Sequence, residues 1–244
     1  MALKNKTVET ETETIVTETE TVKQDFLTKY SKPLIYGVSA LVLLVAGWYG
    51  YKKLVSEPKE LKAAEAVFAA ENLTDKMINA SFGKDSLNTA LNGGTLDGTN
   101  ITGLLKVIKD YGGTLNANRA CYLVGAAYLQ TKEFDKAIKY LNDFDSHGAY
   151  QTEIKKYIML GHANSELKKT DEAFSAYKKA TTINTKDEAL TADAISIAAA
   201  YATSLGKEKD AIELYQNLKD NYPSFAAVQN GEVDKNLAKL GVTK

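Results

Sequence analysis

The longest run of hydrophobic positions lies near the N-terminus and predicts a transmembrane helix. Residues 33–51, PLIYGVSALVLLVAGWYGY, contain no charged residue and are bracketed by Lys32 and Lys52. A helix of nineteen residues is about 28 Å long, close to the roughly 30 Å hydrocarbon core of a bilayer. Aromatic residues flank the run as they do in interfacial belts, at Tyr36, Trp48, Tyr49 and Tyr51.

Two other structures share this apolar signature, a cleaved signal peptide and a buried core helix. A signal peptide would lie nearer the start behind a basic leader, whereas 32 mostly polar residues come first here. We therefore predict that residues 33–51 contact the lipid bilayer. Ala46 and Gly50 have the small-xxx-small spacing that favours helix pairing, so a homo-oligomer formed through this helix is a further prediction.

The segment that precedes the apolar run is polar and acidic. Thr and Glu alternate through residues 7–22, TVETETETIVTETETV, which offer almost nothing to a core. An isolated strand also fits the alternation, but the composition favours a solvated chain. The sequence predicts an acidic disordered tail over residues 1–32.

Hydrophobic positions at near-helical spacing resume after Pro58. They predict a helix leading away from the membrane, with its apolar positions at Leu61, Ala64, Phe68 and Leu73. Glycines within residues 83–103 predict turns. A further helix is expected between Asn100 as its N-cap and Gly112 as its C′ residue. Residues 52–117 are thus predicted to form a helical stalk and a degenerate helical pair.

From residue 118 onward, a pattern of small residues recurs. Alanines are spaced by 36 and 38 residues, at Ala137, Ala173 and Ala211. Twelve positions before each of them lies another small residue: Gly125, Gly161 and Ala199. Glycine inside a helix costs about 1 kcal/mol relative to alanine, and a bend beside a ligand would not recur at a fixed offset. The pattern predicts three helical hairpins over residues 118–222, in which a small residue of the first helix faces alanine of the second.

These hairpins resemble the tetratricopeptide repeat family. The family's first-helix order Trp-Leu-Gly-Tyr appears as Cys121, Val124, Gly125 and Tyr128, and again as Tyr157, Leu160 and Gly161. Its second-helix order Ala-aromatic-Ala appears as Ala173, Tyr177 and Ala180, and in part as Ala211 and Tyr215. Pro223 closes the third unit, and residues 223–244 are similar to the family's capping helix with a short tail. The resemblance implies an all-α fold, in which one transmembrane helix precedes a superhelical α–α solenoid that ends in a capping helix.

Composition and charge narrow the range of functions. The whole chain has a formal net charge of -1, which gives no electrostatic footprint for nucleic acid. Its single cysteine, Cys121, excludes an intrachain disulfide and a cysteine-cluster zinc site. Carboxylates are spread over helix exteriors without an isolated apolar-flanked pair. We expect a protein that is not an enzyme, with neither a cofactor nor a metal.

The resemblance also implies a place where partners bind. Tetratricopeptide repeats usually bind proteins or peptides in a groove lined by their first helices. Transferred to this chain, the groove positions give the candidate partner-binding residues Arg119, Tyr122, Gln130, Lys155, Ile158, His162 and Glu166. The alternative that these side chains are merely solvated helix faces stays open at this point.

The complete layout is similar to bacterial single-span inner-membrane tetratricopeptide proteins, and among them to ancillary subunits of the Sec translocon. That resemblance implies a periplasmic C-terminal domain that contacts the translocon, emerging envelope proteins or periplasmic chaperones. The alternative is an assembly or scaffold factor for cell-wall or outer-membrane machinery. Lysines flank the apolar run on both sides, so charge alone leaves the orientation open.

Overall fold

The computed structural model of the protein describes residues 30–79, 84–96, 98–183 and 186–242. The acidic tail expected over residues 1–32 lies outside the described residues, except for its last three. The chain divides into two units, one ending at Pro58 and the other formed by Lys59–Lys244.

The first unit is helical throughout its described part. Helix α1 covers residues 30–51, and a π-helical turn over Lys52–Ser56 follows, in which Glu57 N–H donates to the Lys52 carbonyl. The continuous helical segment Tyr30–Leu73, which includes α1, is long and apolar enough to cross a membrane, and no residue of its apolar window is buried. A core helix of a soluble domain would instead bury such a window.

The second unit contains the remaining elements. Helix α2 (Glu57–Asn79) leads into it from the first unit, and α3 (Lys84–Asn92), a two-stranded sheet and α4 (Leu104–Asp110) come next. The helices that follow are α5 (Leu115–Gln130), α6 (Phe134–Asp143), α7 (Tyr150–Glu166), α8 (Thr170–Thr182), α9 (Glu188–Ser204), α10 (Glu208–Asn221), α11 (Ala226–Gln229) and α12 (Glu232–Lys239). The class predicted from the sequence, all-α with an N-terminal apolar helix and a helical repeat region, is confirmed.

A short antiparallel hairpin interrupts the helices where turns were expected. Strands β1 (Gly94–Leu96) and β2 (Thr99–Ile101) pair with Thr95 opposite Asn100. Asn100 therefore lies in a strand, and Gly103 rather than Asn100 is the N-cap of α4. The backbone of Gly103 crosses the end of α3 so closely that a Cβ there would lie 2.3 Å from the Gly93 nitrogen.

The face of α2 that packs against the domain is only partly the expected one, since Leu73 is buried as predicted but Leu61 and Phe68 are not. Over residues 57–73, the part of α2 whose burial is described, the buried positions are Ala63, Val67, Ala70 and Leu73. Leu61 and Phe68 are 63% and 66% exposed. Val67, Ala70 and Leu73 join residues of α3, α4 and α5 in one hydrophobic core, so α2 packs onto the first hairpin.

The three predicted hairpins are present as the pairs α5–α6, α7–α8 and α9–α10. Their close approach is real, but the residue opposite each glycine differs from the expectation. A Cβ on Gly125 would lie 2.6 Å from Leu141 Cγ, and a Cβ on Gly161 would lie 2.3 Å from Tyr177 Cε1. Each glycine thus faces a bulky side chain sixteen positions later, and its missing Cβ makes room for that side chain.

Successive hairpins are also linked by ion pairs between the starts of their second helices. Lys169, the N-cap residue of α8, lies 3.4 Å from Asp135 in the first turn of α6. Lys207, the N-cap residue of α10, lies 3.2 Å from Asp171 in the first turn of α8. Exposed pairs of this kind contribute at most about 1 kcal/mol each, so they fix the register of the hairpins more than they stabilise them.

The C-terminal cap consists of two helices rather than the single capping helix expected within residues 223–244. Gly231 has φ 79°, a left-handed conformation that ends α11 and serves as the N-cap of α12. Val233 and Leu237 of α12 are buried against the aromatic and leucine side chains of α10. The cap therefore covers the last hairpin as predicted, with a break that glycine permits.

Candidate protein-binding groove

Helices α5, α7 and α9 form a layer in which each first helix contacts the next, while α6, α8 and α10 pack behind them. We refer to the exposed side of α5, α7 and α9 as the first-helix face. It carries the seven candidate residues, three on α5 and four on α7. The candidates on α5 and those on α7 differ in the contacts that they make within the protein.

On α5, two of the three candidates already have partners inside the protein. Arg119 forms an ion pair with Glu71 of α2. Tyr122 is half-buried, its ring centroid lies 5.2 Å from that of Phe144, and burial raises the pKa of its hydroxyl. Gln130, the last residue of α5, is exposed. A partner can reach Gln130 directly, and it can reach the Arg119 guanidinium, whose side chain stays 61% exposed beside Glu71.

On α7, the four candidates follow one another at intervals of three or four residues and so share one side of the helix. Lys155 and Glu166, the first and last of these four, are exposed. Ile158 is half-buried, packed on a cluster of Ile154, Ala180 and Ala194. Ile158 therefore supports the surface, whereas the charged residues at either end are accessible to a partner.

His162 is held in place from below by Tyr177 of α8. The His162 Nδ1 and the Tyr177 hydroxyl oxygen are 2.8 Å apart, and the two rings meet edge to face at 5.5 Å. Partial burial lowers the pKa of the imidazole, with Glu166 opposing the shift, and burial raises the pKa of the Tyr177 hydroxyl. Both groups are therefore neutral at pH 7, and the first-helix face presents an imidazole of fixed orientation at its centre.

Sequence reasoning missed the part that α2 plays at this surface. Glu60 accepts hydrogen bonds from the backbone N–H groups of Leu115 and Asn116, at 2.8 and 2.9 Å, and so caps the start of α5. Lys59 Nζ donates to the Gly112 carbonyl at 2.6 Å. Glu60 and Glu71 lie eleven residues apart, three helical turns, and this spacing is the available sequence signal that both face one neighbour.

Several clefts open elsewhere on the repeat stack. One of about 610 Å³ lies between α6, α7 and α8 and is lined by Asn142, Tyr157, Asn164, Glu172 and Lys179, among others. Another, of about 690 Å³, lies beside the starts of α7 and α9. None of the seven candidate residues lines either cleft. The candidate surface is thus a helical face, suited to an extended or helical partner rather than to a small ligand.

The described residues offer little other chemistry. Over residues 30–79, 84–96, 98–183 and 186–242, no three His, Cys, Asp or Glu side chains are grouped so as to hold a metal ion. Cys121 is buried, and burial raises the pKa of its thiol to about 11. A thiol of that pKa is protonated at pH 7 and is a poor nucleophile.

Comparison with known protein families locates the repeats independently. A family model described as tetratricopeptide repeat matches residues 119–144 and 156–187, and a second model of the same description matches residues 196–224. No curated protein and no solved structure matches the chain. The matched ranges coincide with the three hairpins, and the chain therefore contains a region of tetratricopeptide-type helical repeats, a module that serves in protein–protein interaction.

Proposed function

We propose that this protein is a membrane-anchored adaptor that binds a protein partner on its first-helix face. The observation that carries the proposal is the presence, in one chain, of an apolar helix whose apolar window has no buried residue and a repeat stack with accessible charged residues. The apolar helix costs free energy in water because its hydrophobic surface stays exposed, and a bilayer removes that cost.

The chemistry of the first-helix face suggests the kind of partner. Lys155 and Glu166 place opposite charges at the first and last of the four candidate positions on α7, with the neutral ring of His162 between them. An amphipathic helix or an extended peptide that carries an acid near Lys155 and a base near Glu166 matches this order. Gln130 extends the polar surface onto α5.

The proposed location is the inner membrane, with residues 33–51 spanning it and the repeats in the periplasm. The similarity in layout to ancillary Sec translocon subunits supports this location and suggests the translocon or a periplasmic chaperone as the partner. An assembly or scaffold factor for cell-wall or outer-membrane machinery would use the same layout. The identity of the captured partner distinguishes the two.

Site-specific crosslinking in intact membranes tests where the partner binds. A photoreactive amino acid replaces Lys155 on the first-helix face or, as a matched control, Lys139, an exposed lysine of α6 on the second-helix side. We expect a discrete crosslinked protein from position 155 and none from position 139. Equal yields from both positions, or a product from position 139 alone, would rule out the first-helix face.

A labelling experiment tests the orientation separately. A cysteine replaces the exposed Lys239 at the end of α12 in a Cys121→Ala background. We expect a membrane-impermeant thiol reagent to label it in intact cells. Labelling after lysis only would place the repeats in the cytoplasm and leave the adaptor function standing.

A further inference from the structure

The C-terminal end of α1 combines exposed aromatic rings with two adjacent lysines. Trp48, Tyr49 and Tyr51 are each more than 60% exposed. Lys52 and Lys53 follow immediately, at the start of the π-helical turn, and are exposed as well. Aromatic rings of this kind favour the headgroup level of a bilayer, and lysine side chains reach from there towards the phosphates.

The two lysines differ in what they contact. Lys53 Nζ lies 2.9 Å from Glu57 Oε2, so a carboxylate partly offsets its charge. Lys52 Nζ lies 5.5 Å from the centroid of the Trp48 ring, one helical turn earlier. Within the part of the chain that the structure describes, no carboxylate forms an ion pair with Lys52. A positive charge over an indole ring therefore remains uncompensated at the end of an apolar helix.

From this arrangement we infer that Lys52 and Trp48 form a binding site for the headgroup of an anionic phospholipid. The phosphate pairs with the Lys52 ammonium, and the Trp48 ring holds that ammonium and packs beside the upper acyl chain. The inference rests on the proposed insertion of α1 into a bilayer. Lys53 contributes less because Glu57 already occupies its ammonium.

Trp48 reports on this site directly because it is the one tryptophan of the chain. The full-length protein is reconstituted into phosphatidylcholine vesicles that contain equal fractions of either brominated phosphatidylglycerol or brominated phosphatidylcholine. Bromine quenches tryptophan fluorescence on contact, so the two quenching curves give the relative association of the two lipids with Trp48.

We expect phosphatidylglycerol to associate about fivefold more strongly, the ratio that corresponds to about 1 kcal/mol for one lysine near an anionic surface. Lys52→Gln should lower the ratio to about one. Lys53→Gln, which removes the same charge from the neighbouring residue, should keep most of the preference. Inorganic phosphate added to the buffer should not abolish it.

Each result that differs from these expectations contradicts a specific part of the inference. Equal quenching by both lipids in the wild type would disprove the headgroup site and leave the anchor intact. An equal loss in both lysine variants would mean diffuse surface charge rather than a site at Lys52. Loss of the preference in phosphate buffer would mean that Lys52 binds free phosphate instead. No quenching by either lipid would show that Trp48 lies outside the bilayer, and the proposed anchor would fail with the site.

Discussion

Gly161→Ala tests the close packing inside the repeats, because helix propensity and tertiary packing predict opposite results. Alanine favours a helix interior by about 1 kcal/mol over glycine, so local propensity alone predicts stabilisation. The new Cβ would lie 2.3 Å from Tyr177 Cε1 and 2.5 Å from Cδ1, closer than real carbon atoms approach. The aromatic ring or the helix must therefore move.

Moving the ring disturbs more than one contact. Tyr177 is only 3% exposed, its hydroxyl is 2.8 Å from His162 Nδ1, and its ring meets Tyr201 edge to face at 5.0 Å. Overpacking a core costs about 1–3 kcal/mol, and a lost hydrogen bond costs about 1 kcal/mol more. After subtraction of the propensity gain, we expect Gly161→Ala to lower the free energy of unfolding by about 2 kcal/mol. At about 2–4 °C per kcal/mol, the Tm should fall by about 4–8 °C.

Thermal unfolding of the full-length protein in mild detergent, followed by circular dichroism, measures this change. Ala199→Gly is the matched control, since the third hairpin already accepts a Cβ at the equivalent position. It should also destabilise, by about 1 kcal/mol. In a Tyr177→Ala background the added Cβ has room, so Gly161→Ala should become neutral or stabilising. A stabilising Gly161→Ala in the wild-type background would refute the close contact.

Three other regions give separate predictions. Glu60→Ala should destabilise the protein by about 1 kcal/mol through loss of its hydrogen bonds to the start of α5. Hydrogen exchange should quicken at the Leu115 and Asn116 amides; unchanged exchange would mean that Glu60 does not protect them. Burial raises the pKa of the Cys121 thiol to about 11 from an ordinary 9.0, so the thiol should resist alkylation at pH 8 until the protein unfolds. Its contribution to stability should be lost as the pH rises from about 9 towards 11. Rapid alkylation of the folded protein would contradict this burial. Burial lowers the pKa of His162 below its ordinary 6.5. The contribution of His162 to stability is therefore complete above pH 6.5 and is lost as the pH falls through the lowered pKa. An NMR titration with a midpoint at or above 6.5 would contradict the packing of His162 on α8.

The repeats were predictable from sequence because a small residue that recurs at a fixed distance before an alanine indicates a close contact between two helices. Gly125 and Gly161 indicated that each hairpin is tightly packed, and it is. The residues opposite them, Leu141 and Tyr177, were not foreseen because the relative rotation of two helices depends on the connecting loop. In these loops Lys132 and Lys168 adopt positive φ, a conformation that the hydrophobic pattern does not predict.

The segment before the repeats was less predictable because its local signals disagree with its tertiary environment. Leu61 and Phe68 lie seven residues apart, which suits a helical face as well as the spacing of Ala63, Val67 and Ala70 does. Side-chain size favoured the first face, yet the second is buried because its alanines let α2 approach closely. The candidate site was hard to predict for the same reason. Arg119 fits a groove position, but its ion pair is with Glu71 of α2, which is distant in sequence.

Purification of the intact protein with its partner tests the central claim, that the anchored repeats bind a protein through the first-helix face. The wild type, Lys155→Glu and the charge-matched Lys139→Glu are isolated in mild detergent, their thermal unfolding is compared, and the co-purifying proteins are identified by mass spectrometry. With all three equally folded, the account predicts one stoichiometric partner with the wild type and Lys139→Glu, and its loss from Lys155→Glu. Recovery of the same partner with all three variants, or of no partner with any, would contradict it.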